Sequence, residues 1–112
     1  MVIYMDVCCL CRPFDDFTSP DGERIKDEAK AIETIFVLAR FKGWTILLSD
    51  IIESEVSKLS NPLKSAGAET FYPSMQKYVT LADSMETRIN HFQSIGIKRR
   101  DSEHLALVRC NV

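Results

Sequence analysis

Two short runs constrain this chain more than anything else in it: "VIYM" at residues 2–5 and "WTILL" at residues 44–48 are almost wholly apolar, and each stops on polar residues. A strand with one wet face alternates apolar and polar residues, whereas a strand covered on both faces reads as a continuous apolar run. Between the two, Ile25, Ala29, Ile32, Phe36 and Ala39 recur at steps of four and three, which is one face of a helix. Gly43 closes that helix. Strand, amphipathic helix, strand is the unit of a parallel sheet with helices on both faces, joined by a right-handed crossover. The expected fold class is therefore α/β, as a single domain over residues 1–112, with no internal repeat.

The remaining elements follow from local signals. Cys11 to Gly22 reads as a loop, with Pro13, Pro20 and an Asp-Gly pair. Ser49 is a natural N-cap for a helix reaching about Leu59. Asn61-Pro62 breaks the chain, and a short helix is expected around Leu63 to Ala68. From Pro73 the spacing of Tyr78, Ala82, Met85, Ile89 and Phe92 predicts one long helix, ended by Gly96. A basic triplet, Lys98, Arg99 and Arg100, then precedes Asp101, which reads as the N-cap of a last helix from Ser102 to about Arg109.

Composition narrows the function classes. Hydrophobic residues are 46% and charged residues 27% of the chain, an ordinary globular balance. No apolar run approaches the ~20 residues that cross a bilayer, and the N-terminus lacks the pattern of a secretory signal. The expectation is a cytoplasmic protein with reduced thiols and no membrane partner. The net charge of −2 argues against a general electrostatic nucleic-acid binder. It leaves room for a nuclease, because an acidic site binds phosphates through divalent ions. Cys8, Cys9, Cys11 and Cys110 form no disulfide framework and lack zinc-site spacing. They read as small buried apolar residues.

The acids carry the chemistry. In an open parallel sheet, ligands bind at the carboxyl ends of the strands. Asp6 follows the first strand. Asp50, Glu53 and Glu55 follow the second, and a helix starting at Ser49 cannot turn all three one way. Asp101, at the start of a helix that runs back from the same edge, is the third contribution. Singly, each has a bland role as turn residue, N-cap or dipole-favoured acid. Together they place carboxylates from three distant positions at one edge, and hard oxygen donors suit Mg²⁺ or Mn²⁺.

"IYMDVCCLCRPFDD", "SDIIESEVSKL" and "GIKRRDSEHLALV", in that order, resemble the PIN-domain ribonucleases, in particular the VapC-like toxins with a Cys-Cys-Leu-x-Arg-Pro-Phe segment. The resemblance implies a PIN-like α/β/α fold around a short parallel sheet and a metal-dependent endoribonuclease. Asp6, Glu55 and Asp101 would be its catalytic and metal-binding residues and Mg²⁺ or Mn²⁺ its cofactor, with Glu53 a less apt substitute for Glu55. It implies an RNA substrate and a cognate antitoxin. Cys8 and Cys9 would lie in the loop after the first acid and pack under the site, and Arg12 would bind a carboxylate or a phosphate. The basic triplet would hold RNA backbone or form a solvated charge run. His91 and His104 are expected to pack or hydrogen-bond, with His104 near Asp101.

The family pattern continues past Val112 into a third strand and a fourth acid. Their absence here implies a sheet truncated before its later strands, with an open apolar edge, a homodimer that covers it, and impaired activity. The alternative from another class is a catalytically inactive PIN remnant acting as a protein-binding or oligomerising module. A haloacid-dehalogenase-type phosphatase would need an aspartate where Cys8 stands. A cysteine phosphatase would need a different Cys–Arg spacing, and a receiver domain would need a late strand ending in lysine.

Overall fold

The structure, a computed structural model, describes residues 1–111. In chain order it contains β1 (Val2–Tyr4), α1 (Val7–Cys11), α2 (Gly22–Lys42), β2 (Thr45–Ser49), α3 (Asp50–Ser57), α4 (Pro62–Glu69), β3 (Lys77–Val79), α5 (Glu86–Ser94) and α6 (Arg99–Asn111), with 3₁₀ turns at Arg12–Phe14, Tyr72–Ser74 and Asp83–Met85. The strands form one parallel sheet in the order β1-β2-β3, with Tyr4 opposite Leu47 and Leu47 opposite Lys77. The class is α/β.

The central strand explains the apolar run: β2 has a neighbour on each side and a hydrophobic cluster on each face. Leu48 points into one cluster with Met5, Leu10, Ile52 and Val56, covered by Ile32, Ile35 and Phe36 of α2. Leu47 points the other way, to Val79, Ile89 and Leu107, beneath α5 and α6. This two-residue alternation also puts Ser49 on the Leu47 face, and register puts Tyr4 there too. β1, at the sheet margin, is paired only with β2 among the described residues.

Helix ends follow the sequence signals at several points. Gly43, at φ 68°, ends α2 with its N–H bonded to the Ala39 carbonyl. The Ser49 hydroxyl accepts the Ile52 N–H at 3.1 Å and starts α3. Asn61 accepts the Leu63 N–H at 2.9 Å ahead of Pro62 and starts α4.

Three expectations are corrected. Where the four-three spacing predicts one helix from Pro73, the chain instead makes a 3₁₀ turn, strand β3, a second 3₁₀ turn and only then α5. Residues 78–81 alternate at period two: Tyr78 is exposed, Val79 buried, Thr80 exposed and Leu81 half-buried. Ala82, assigned to the apolar helical face, is exposed, and only Met85 and Ile89 keep their predicted place in the core. β-branched and aromatic residues beside a central strand outweigh a coincidental helical period. The cysteine segment is not a loop: Asp6 caps the one-turn helix α1. Finally, α6 begins at Arg99, so Asp101 lies within its first turn rather than capping it, and the Ser102 N–H bonds to the Lys98 carbonyl at 2.9 Å. Val112, where the further strand is expected, lies outside the described residues. Among the described residues no helix is long and apolar enough to cross a membrane.

Candidate functional site

β1 delivers the chain to Asp6 at its carboxyl end, and β2 delivers it to α3 at the same edge. There a cavity of about 670 Å³ opens beside β1, between Ile32 and Ile35 of α2 and Leu105 and Val108 of α6. Asp6, Glu55 and Asp101 all line it. The strand-edge argument therefore holds for the placement of three acids separated by 49 and 46 residues in sequence.

The other two acids of the α3 segment do different work. Asp50 accepts the Leu81 N–H at 3.1 Å and its neighbour Ile51's N–H at 3.0 Å, tying the chain after β3 to the start of α3. Glu53 lies toward Tyr78, whose hydroxyl is pushed up to about 12, first by its hydrogen bond to Glu53. Neither lines the cavity.

Each cavity acid is held differently. Asp6 Oδ1 accepts the Cys9 N–H at 3.0 Å, so one oxygen of the first acid is also the cap of α1. The Cys9 thiol is pushed up to about 11, chiefly by burial and then by its contact with Asp6. The reading of the cysteines as uniformly buried is corrected: Cys11 is buried, Cys9 half-buried, and Cys8 and Cys110 exposed. A one-turn helix at the cavity lip turns only part of its side chains inward. Asp101 is exposed on the first turn of α6. Glu55 Oε1 receives His104 Nε2 at 2.9 Å and lies 3.5 Å from Arg100 Nε, while Arg100 also reaches Glu103 at 3.4 Å.

Beyond His104 the sequence reading misses two participants. Tyr4 hydrogen-bonds His104 Nδ1 through its hydroxyl, and the same hydroxyl lies 3.1 Å from Ser49 Oγ. Tyr4 is pushed up to about 12 by burial, against the Ser49 hydrogen bond, with the charges of Glu55, Asp50 and Asp6 adding to the rise. The available signal was the polar tip of a tyrosine in an otherwise apolar strand, because a buried phenol seeks a partner.

The basic triplet is largely engaged. Arg99 makes a bidentate pair with Glu86 at 2.8 and 3.1 Å, and Arg100 is on Glu55 and Glu103. Arg12 binds carboxylates, Asp15 and Glu28, both at 2.9 Å. As they stand, no three His, Cys, Asp or Glu side chains among the described residues are drawn close enough to hold an ion between them. The donor chemistry on the cavity wall still fits a hard cation, since its acids are all carboxylates. Glu55 Oε2 and the Asp101 carboxylate have no hydrogen-bond partner among the described residues. No family model, curated protein sequence or solved structure matches the chain.

Proposed function

We propose that this chain is a divalent-cation-dependent endoribonuclease of the PIN type, related to the VapC-like toxins, with Asp6, Glu55 and Asp101 as its acidic residues. The observation that carries the reading is the convergence of these three carboxylates on one cavity at the carboxyl end of a parallel sheet. Asp6, Glu55 and Asp101 would hold Mg²⁺ or Mn²⁺, which supplies Lewis-acid activation of an RNA phosphodiester. The chain's own groups contribute the rest. The α1 cap orients Asp6, His104 orients Glu55, and Ile32, Ile35, Leu105 and Val108 supply an apolar flank to the site. Arg100, beside Glu55, is placed to exchange a carboxylate for a phosphate oxygen. A cognate antitoxin and a second copy of the chain are the proposed protein partners, in the cytoplasm.

A second reading, a catalytically inactive binding module, draws on the edge of β1, unpaired among the described residues, and on the engagement of Glu55 Oε1 by Arg100 and His104. An RNA cleavage assay separates the two. The nuclease reading expects cleavage that needs Mg²⁺ or Mn²⁺, stops with a chelator, and falls at least ~100-fold in Asp6→Asn, as when charge stabilisation of the transition state is removed. Cleavage indifferent to both the metal and Asp6 overturns that reading. Dimerisation by light scattering without any cleavage favours the second.

A further inference from the structure

The chain Ser49–Tyr4–His104–Glu55 crosses four elements and ends on one cavity acid. We infer that Tyr4 and His104 are positioning residues for Glu55: they clamp Oε1 and leave Oε2 as the oxygen offered to a divalent cation. This rests on the metal-dependent reading above.

Hydrogen-bond direction carries the argument. A carboxylate only accepts, so His104 donates from Nε2. In the neutral ring Nδ1 is then bare and accepts, and the donor is the Tyr4 hydroxyl. Ser49 Oγ already accepts the Ile52 N–H and has its own proton to give to the Tyr4 oxygen. For the neutral ring every donor and acceptor is used in one consistent direction, with the proton on Nε2. Arg100 Nε approaches the same Oε1 at 3.5 Å, so the histidine and arginine contacts of Glu55 both fall on one oxygen.

Placement argues for more than packing. Tyr4 shares its sheet face with Leu47 and lies against the cluster of Val79, Ile89 and Leu107, where an apolar side chain would satisfy the core without a partner. Buried polar chains bring a desolvation cost that apolar packing avoids. Here the chain leads from an N-cap at the end of the central strand to a carboxylate on the cavity. A glutamate has three rotatable side-chain bonds, and a ring held at both nitrogens removes that freedom at one oxygen. Partners of this kind behind a ligating carboxylate are worth about 10–100-fold in metal affinity.

The test is Mn²⁺ binding to the metal-free chain, read by electron paramagnetic resonance of free Mn²⁺, alongside ¹⁵N NMR of the imidazole nitrogens. Wild type should show His104 protonated at Nε2. Tyr4→Phe, which removes one oxygen and the Nδ1 contact, should free the ring and raise the Mn²⁺ Kd about tenfold. His104→Leu should do at least as much, and His104→Gln, whose amide can still donate to Glu55, should recover most of the affinity. If His104→Leu does not fold, Tyr4→Phe carries the test. Unchanged Mn²⁺ affinity in Tyr4→Phe, or protonation at Nδ1 in wild type, overturns the positioning role. The expected tautomer in a wild type that binds no Mn²⁺, or that binds it no more tightly than Glu55→Gln does, identifies the failure as that of the ribonuclease reading, and the positioning role falls with it.

Discussion

Ser49→Ala tests the junction on which both the fold and the site depend. Ser49 is fully buried, at 0% exposure, and makes two bonds of 3.1 Å: it accepts from the Ile52 N–H and contacts the Tyr4 hydroxyl. Alanine removes the N-cap of α3, a loss of about 1 kcal/mol within a range of roughly 0.5–2. It also removes a side-chain hydrogen bond inside the protein, about another 1 kcal/mol. The volume of one oxygen adds little. The sum is about 2 kcal/mol, which for a domain of this length is a fall in Tm of roughly 6–12 °C. With a urea slope of about 2 kcal/mol/M the midpoint drops by about 1 M. Ser102→Ala is the internal comparison: Ser102 is equally buried but makes a single 3.3 Å bond, to the Ile97 carbonyl, and its loss should be about half as large. Urea denaturation followed by circular dichroism gives both values, and a double-mutant cycle with Tyr4→Phe should return a coupling of about 1 kcal/mol. A loss below about 0.5 kcal/mol for Ser49→Ala, or a coupling of zero, would refute the reasoning.

Two further outcomes are expected. Gly67→Ala places a Cβ 2.5 Å from the Phe14 ring, so the ring must leave its seat on α4, and stability should fall by about 1–3 kcal/mol in the same denaturation experiment. Tyr72 carries a buried hydroxyl with no partner among the described residues, and burial pushes the phenol up to about 12. Tyr72→Phe should therefore raise stability by about 1 kcal/mol at neutral pH. Because the folded value exceeds the unfolded 10, the unfolded chain loses this proton first as pH rises. Tyr72 thus contributes a decline in stability between about pH 10 and 12, and Tyr72→Phe should make that decline shallower in urea titrations across this range.

The sequence makes some of this legible for identifiable reasons. β1, α2, β2 and the Ser49 cap rest on local signals that packing reinforces: continuous apolar runs, a sustained helical stripe, a hydroxyl ahead of a helix. The cavity acids are legible too, because the carboxyl edge of parallel strands is fixed by chain direction alone. What stays hidden depends on register and on facing. Tyr4 meets Ser49 because β1 and β2 pair with Tyr4 opposite Leu47, and no local pattern states that pairing. His104 reaches Glu55 only through the rotation of α6 over the sheet. The region after Pro73 misleads because Tyr78, Val79 and Leu81 serve a strand while Met85 and Ile89, further on, serve a helix. A spacing summed across the two mimics one long element.

The Tyr4–His104 bond joins residues 100 positions apart. During synthesis at about 5–20 residues per second, some 5–20 seconds separate their appearance on the ribosome. Over that interval β2 and α3 can form from nearby segments, whereas Glu55 waits for the histidine that clamps it. A chain stalled or cleaved before His104 would carry Asp6 and Glu55 without α6, and so without one wall of the cavity. If the proposed activity is harmful to the cell that makes it, the order of emergence itself keeps the nascent chain harmless.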